Sequence, residues 1–464
     1  MPARAARADA PAAGPPLAEQ LSAAVRAAAL GDKVGISVVD LRTRTSVLSQ
    51  RAEVPLNPAS NMKLLTAATA LIELGPEHRI QTGLYGRIVD GGVHGGLCLK
   101  GHGDPTLRRA ELMLLAQRAF EEGARQVDEV IIDGSYFDDQ ILPPLFEQQP
   151  NEIAPFRAAV GALSVKANAY TLRVRPGASE GAPAIVLVDG SGYFQVESTL
   201  VTSAAAPLKV IAEDRVTETG VVLALSGSVP PGSPSLAYDR RVPAPLPYAG
   251  YLFADALRAA GITVPNRVNV STCPSDLPLI HIQQSPPLGQ MLARLGKDSD
   301  NFAAEMLLKV IAAERTGPPA KSSDGAAAVV ATLKQLGIPT EGLVVLNGSG
   351  LFKGNAVAAD QLTGVLTAMY ANPALRDEFV SHLAVGGVDG TLARRFKKLP
   401  RPRIVRAKTG TLDDVIALSG YVLGPTPDRA YAFSYLANGV SGKHGQARNL
   451  IDQLVEILAT HLYN

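Results

Sequence analysis

The stretch Asn57-Pro58-Ala59-Ser60-Asn61-Met62-Lys63-Leu64-Leu65-Thr66-Ala67-Ala68-Thr69-Ala70-Leu71-Ile72-Glu73-Leu74-Gly75 organises the rest of the chain. Asn57 suits a helix N-cap, Pro58 the first helical position, and Gly75-Pro76 a stop. Beyond Lys63 every residue except Glu73 is apolar or small, so this helix is expected to be wrapped by protein on most sides. Its first turn carries Ser60 and Lys63, three residues apart and therefore on one helical face. A serine hydroxyl is a poor nucleophile until a neighbour takes its proton, and an amine can take it only when neutral. An ordinary lysine, with a pKa of ~10.4, is protonated at neutral pH, so Lys63 has to be depressed by burial or by a nearby cation. The positive end of the helix works in the same direction and favours negative charge developing at Ser60.

An isolated Ser-x-x-Lys pair carries little information, because it arises by chance in many chains. Two later segments change its weight. Ser299-Asp300-Asn301 stands at the entrance to the helical pattern Asn301-Phe302-Ala303-Ala304-Glu305, and Lys408-Thr409-Gly410 stands at the end of a strand-like run. Ser-x-x-Lys, Ser-Asp-Asn and Lys-Thr-Gly in that order form the combined signature of penicillin-binding proteins and class A β-lactamases.

The chain as a whole sets further bounds. Its 464 residues give room for two to four domains. Forty-four Lys and Arg against 43 Asp and Glu leave a net charge of +1, which gives no electrostatic case for nucleic acid or an anionic membrane as partner. No apolar run of about 18 residues suggests a transmembrane segment. Met1 to Pro11 lacks the apolar core of a signal peptide, although Ala8-Asp9-Ala10 resembles the small-x-small end of one, as a truncated or misassigned start would. Cys98 and Cys273 leave two readings open, a single disulfide or two thiols. Neither has a metal-ligand spacing, the seven histidines are scattered, and His102 in Gly101-His102-Gly103-Asp104 reads as a turn residue. No metal and no organic cofactor are expected.

In chain order, Leu17 to Leu30 reads as an amphipathic helix, and Val34 to Asp40 with Thr45 to Gln50 as a hairpin leading to the Ser60 helix. From Gln81 the runs Leu97 to Leu99, Glu129 to Asp133, Tyr170 to Arg175, Ala184 to Asp189 and Val221 to Ser226 alternate with Gly, Pro and Asp turns. Helical pattern within this interval is confined to Arg108 to Glu122 and Tyr248 to Ala260, and the proline-rich Pro230 to Pro247 reads as extended surface. Helices return at Pro287 to Leu295, after Asn301, and at Ala358 to Ala371. The basic cluster Arg394-Arg395-Phe396-Lys397-Lys398 reads as a solvated helix end. Ile404 to Lys408, Val415 to Leu423 and Tyr431 to Ala437 read as successive antiparallel strands, followed by a closing helix from Gln446 to Leu462. Pooling the two ends of the chain predicts an α+β/α/β arrangement: a five-stranded antiparallel sheet, covered on one face by the first and last helices and on the other by the Ser60 helix and its followers. The expected catalytic domain is split, 17–80 plus 276–464, around a β-rich insert, 81–275, of two nested subdomains.

From about Leu17 onward the chain resembles the three-domain, low-molecular-mass class C penicillin-binding proteins, D-alanyl-D-alanine carboxypeptidases and endopeptidases of the bacterial envelope. Besides the triplets, Gly101-His102-Gly103-Asp104-Pro105, Glu305, Gly348-Ser349-Gly350-Leu351 and Gly387-Val388-Asp389-Gly390-Thr391-Leu392 resemble family segments. The resemblance implies a penicillin-recognising serine-transferase fold in which Ser60 is acylated and Lys63 accepts its proton. It further implies that Ser299 and Asn301 relay protons and hold the substrate amide. Lys408 and Thr409 would bind the substrate carboxylate, and Lys408 would keep a positive potential beside Lys63. Gly410 would let the substrate approach the strand edge, and the N–H groups of Ser60 and Thr411 would form an oxyanion hole. Peptidoglycan peptides are the implied substrates, β-lactams the implied covalent inhibitors, and a periplasmic or other extracytoplasmic location follows from the family alone. Asn347, where an acidic residue is more usual, and Phe352, where a small hydroxyl residue is usual, depart from the pattern. The competing readings are a β-lactamase, disfavoured by the large insert, and a catalytically silent wall-binding protein.

Overall fold

The computed structural model describes residues 15–188, 192–217 and 220–464. Met1 to Pro11 and Asp189 lie outside the described residues. The chain opens with helix α1 (Leu17–Ala28), the hairpin β1 (Val34–Asp40) and β2 (Thr45–Gln50), and helix α2 (Met62–Leu74). It then enters the insert with β3 (Gln81–Val89), β4 (Gly92–Gly101), α3 (Arg109–Glu121), β5 (Gln126–Val127) and β6 (Val130–Asp133). A nested set follows: β7 (Ala169–Arg175), β8 (Ile185–Val188), β9 (Phe194–Ser198), β10 (Val201–Thr202), β11 (Lys209–Val216), β12 (Val221–Val229) and β13 (Leu236–Arg241). Helix α4 (Pro245–Ala259), β14 (Val268–Val270) and β15 (Leu279–Gln284) return the chain. Helices α5 (Leu288–Lys297), α6 (Asn301–Thr316), α7 (Ser322–Gln335), α8 (Ala359–Ala371) and α9 (Arg376–Ser381) come next. The chain ends with β16 (Ala384–Val385), β17 (Val405–Leu412), β18 (Val415–Leu423), β19 (Ala430–Asn438) and α10 (His444–Tyr463).

The two ends of the chain share one antiparallel sheet in the order β16-β17-β18-β19-β1-β2. It has six strands where five are expected, because the two-residue β16 pairs with β17 at Ala407 and Arg406 and is too short to leave a periodic signal. Strands β18 and β19 are buried on both faces and therefore read as continuous apolar runs. Ile416, Leu418 and Val422 face α1 and α10, whereas Ala417 and Tyr421 face the layer containing α2, α6 and α8. The period of two thus divides one strand between two cores.

The insert has its own core and a mixed sheet ordered β14-β6-β4-β3-β15. That sheet takes in Leu279–Gln284, past the expected edge at 275, because β15 pairs with β3. The nested part is built on the sheets β10-β12-β11, with β9 paired to β12, and β13-β7-β8. Cys98 and Cys273 form a disulfide across 175 residues of chain, which resolves the open reading. His102 does sit in a loop after β4, stacked at 4.8 Å on Tyr136.

Two further expectations fail. Pro230 to Pro247 is not simply extended surface: it contains β13, and Pro245 starts α4, where its missing N–H costs nothing. The basic cluster at 394–398 is not a helix end. Phe396 is buried there with a left-handed φ of 62°, and Arg395 pairs with Asp452 of α10.

Candidate active site

Four segments converge on Ser60. The first is its own turn. The expected start is shifted: Pro58, not Asn57, is the N-cap of a 3-10 turn over Ala59–Asn61, the α-helix starts only at Met62, and Asn57 Oδ1 accepts from Ala59 N at 2.8 Å just ahead of that turn. Ala59 has a left-handed φ of 46°, an uncommon conformation for a residue with a side chain, and the kink sets Ser60 half-buried at the entrance to the helix. Every residue of α2 from Met62 to Leu71 is buried, as the composition of the stretch predicts.

Lys63 is fully buried, and its ammonium nitrogen lies 3.2 Å from Ser60 Oγ, 2.7 Å from Asn301 Oδ1 and 2.7 Å from the carbonyl oxygen of Ser349. Burial pulls its pKa from 10.5 to about 7, against the opposing pull of the Glu305 and Asp300 carboxylates. Asn301 opens α6, and Asp300 caps that helix by accepting from Ala303 N at 3.1 Å. Ser299 takes a left-handed φ of 60°, a second strained position in the cluster. Asn301 Nδ2 donates to the carbonyl of Phe156 at 3.1 Å, so the insert reaches the site directly.

Lys408, also fully buried, donates to Ser299 Oγ at 2.8 Å and to the carbonyl of Thr409 at 2.9 Å. Burial, with the Lys63 charge adding to it, holds Lys408 well below the ordinary lysine range. Three distant parts of the sequence therefore meet here: Lys63 joins Ser60 to Asn301 by hydrogen bonds, and Ser299 with Lys408 forms a second bonded pair close enough for the two lysine charges to act on each other. Strand β17 runs on to Leu412, so Lys408-Thr409-Gly410 lies within it and not at its end. Thr409 Oγ1 is 2.8 Å from Thr391 Oγ1, and the exposed Thr411 lines a cavity of about 410 Å³ together with Phe156, Phe352 and Lys353. Pairing with β16 stops at Ala407, which leaves the β17 edge beside Thr409 and Thr411 without a strand partner among the described residues. At Gly410 a Cβ would lie 2.8 Å from Asn61 Nδ2 and 3.0 Å from the Pro58 carbonyl. The glycine allows the Ser60 turn to pack against β17.

Glu305 and Ser349, which resemble family segments but carry no expected role, fix the floor of the site. The buried Glu305 carboxylate accepts from Gly348 N at 3.0 Å and Ser349 N at 2.8 Å, which aims the Ser349 carbonyl at Lys63. Burial pushes the Glu305 carboxyl up, and these hydrogen bonds oppose it. Besides the family resemblance, its position four residues after Asn301, on the same helical face, is a signal that it belongs to the site. Gly350 has φ 74°, and a Cβ there would fall 1.9 Å from the Ala59 carbonyl oxygen. Asn347 is buried and donates through Nδ2 to the carbonyls of Pro144 and Leu351, both at 3.1 Å, which an ionised acid could not do. Phe352 stacks edge-on at 5.6 Å against Phe146 of the insert.

Residues 17–461 match the model of the D-Ala-D-Ala carboxypeptidase 3 (S13) family. The chain belongs to that family. A D-alanyl-D-alanine carboxypeptidase of Actinomadura sp. (strain R39) is 35% identical over 445 residues, covering 92% of this chain and 81% of the relative. The D-alanyl-D-alanine carboxypeptidase DacB of Haemophilus influenzae is 26% identical, covering 94% and 91%. The crystal structure of penicillin binding protein 4 (dacB) from Haemophilus influenzae superposes with a TM-score of 0.80 at 23% identity, over 96% of this chain and 99% of that one. The S13 fold is therefore shared along nearly the whole chain, insert included. Among the described residues no cluster of three or more His, Cys, Asp or Glu is placed to hold a metal ion, and no helix is long and apolar enough to cross a membrane.

Proposed function

We propose that this S13 enzyme is a serine D-alanyl-D-alanine carboxypeptidase/endopeptidase that hydrolyses peptidoglycan peptides through an acyl-enzyme on Ser60. The observation that carries the reading is the environment of Lys63. A neutral amine has two N–H bonds and one lone pair. Asn301 Oδ1 and the Ser349 carbonyl, each at 2.7 Å, take the two donors, and the lone pair is left facing Ser60 Oγ at 3.2 Å. A pKa of about 7 makes that neutral form abundant at physiological pH.

In this mechanism Ser60 Oγ bonds to the carbonyl carbon between two D-residues as its proton passes to Lys63 Nζ. The N–H groups of Ser60 and Thr411 hold the oxyanion, each such donor being worth about 3 kcal/mol. The C–N bond then breaks, with a proton delivered to the leaving amine through Ser299, which touches Lys408 at 2.8 Å. Water hydrolyses the ester and restores the serine. Lys408 with Thr409 receives the terminal carboxylate, and the unpaired edge of β17 receives the substrate backbone. The cavity lined by Phe156, Phe352 and Thr411 takes the acyl-side part of the peptide. β-Lactams acylate the same serine. The Cys98–Cys273 disulfide supports an extracytoplasmic, oxidising location.

The test is release of D-alanine from a pentapeptide ending in D-Ala-D-Ala. Wild-type protein is expected to release it and Ser60→Ala is not. Rapid β-lactam turnover without D-alanine release would replace this reading with a β-lactamase, and release by Ser60→Ala would refute it.

A further inference from the structure

A groove with no part in the mechanism above runs along the seam between the insert and α5. It consists of two adjoining cavities, of about 430 and 640 Å³, that share Thr106, Arg108 and Arg294. Five cationic side chains line it: Arg79, Arg108, Arg109, Lys166 and Arg294. They come from four separate segments of a chain whose net charge is only +1, so the local excess is specific to this place. The acids among the lining residues are Asp104 and Glu111, and both are engaged locally. Asp104 accepts from Thr106 N and Oγ1 at 2.7 and 2.6 Å, and Glu111 accepts from Arg108 N at 2.9 Å.

One wall is held by an unusual backbone. Lys166, Ala167 and Asn168 are three successive non-glycine residues with left-handed φ of 55°, 52° and 50°. Such a run is disfavoured at each residue by contact between Cβ and the following carbonyl. It is fixed by buried Asn168, which donates to the Ala159 carbonyl at 2.7 Å and to Ser164 Oγ at 2.8 Å. The other wall touches the active-site loop, since Arg294 pairs at 2.8 Å with Asp300, the cap of the helix that presents Asn301.

We propose that this groove is a second substrate site, which binds a carboxylate-bearing peptide of the peptidoglycan chain lying next to the one being cleaved. The inference rests on the function proposed above and extends it to cross-linked substrate. Guanidinium groups are matched to planar carboxylates. Gln284 and Gln290 supply amides for a peptide backbone, and Leu107 and Met291 supply apolar wall, a mixture that a simple phosphate polymer does not call for. The contact with Asp300 places the groove where a peptide joined to the one in the cleft can reach it.

The test compares wild type with Arg79→Glu/Arg108→Glu on a cross-linked dimer of stem peptides and on a single pentapeptide. The KM for the dimer is expected to rise about tenfold with little change in kcat, as loss of uniform binding requires. D-Alanine release from the single peptide and acylation by fluorescent penicillin should stay within about twofold, and Arg79→Lys/Arg108→Lys should raise the KM for the dimer by less than the Glu pair does, since it keeps the charge but loses the planar fork. An unchanged KM for the dimer, or equal losses on both substrates, overturns the proposal. So does weakened binding of a polyanionic phosphate polymer while the KM for the dimer is unaltered. Wild-type protein that releases no D-alanine from the single peptide overturns the function proposed above, and this inference with it.

Discussion

Replacing Lys63 with methionine separates the cost of burying this amine from its use. The native pKa of about 7 lies well below the ordinary 10.5, so the folded protein releases a proton that the unfolded chain still holds throughout the interval between those values. Stability rises with pH wherever the unfolded state binds more protons, so Lys63 destabilises the fold fully below pH 7 and progressively less above it. With these two values the penalty is relieved by about 2–3 kcal/mol between pH 6 and pH 9. Lys63→Met has no such group, and removing the charge also eases Lys408, which acts in the same direction. Urea unfolding of both proteins at pH 6, 7, 8 and 9 should therefore show wild type gaining about 2–3 kcal/mol on the variant, most of it above pH 7. The variant should also fail to acylate. Parallel stability profiles over this range would mean that Lys63 titrates normally, and the route by which Ser60 is activated would be wrong.

Further outcomes follow from the supporting shell. Glu305→Gln should cost about 1–3 kcal/mol in urea melts, because one of the N–H groups of Gly348 and Ser349 loses its acceptor. With that carboxylate gone, the pH at which penicillin acylation reaches half its plateau should fall below about 7, since Glu305 is the largest influence holding Lys63 up. Asn347→Asp, which restores the acid more usual at this position, should destabilise by about 2–4 kcal/mol through the lost donors to Pro144 and Leu351. Gly350→Ala should lower stability by more than about 3 kcal/mol and abolish labelling, because its Cβ would collide with the Ala59 carbonyl behind Ser60.

What the sequence made legible follows from where the information is local. The Ser60 helix, the hairpin β1–β2 and the strands β17 to β19 carry their own periodicity, and the three triplets carry their chemistry in adjacent residues. Features set by distant contacts were not legible. The strand Ala384–Val385 exists only because Arg406 and Ala407 pair with it, and β15 belongs to the insert only because β3 pairs with it. The Cys98–Cys273 bond, the left-handed turn at Lys166 and the burial of Phe396 likewise leave no pattern in neighbouring residues. In the site, the roles of Ser60 and Lys63 could be stated from residue type, whereas that of Glu305 depends on a loop more than forty positions away. The packing need at Gly410 was not legible either, since the turn packed against it comes from the opposite end of the chain.

The central claim is that Ser60 is the acylated nucleophile. Its most direct test is incubation of wild type and Ser60→Ala with fluorescent penicillin, followed by mapping of the labelled peptide. A stable adduct on Ser60 in wild type and none in the variant is the predicted result. Labelling that survives in Ser60→Ala, or folded wild-type protein that neither labels nor turns over a β-lactam, would contradict it.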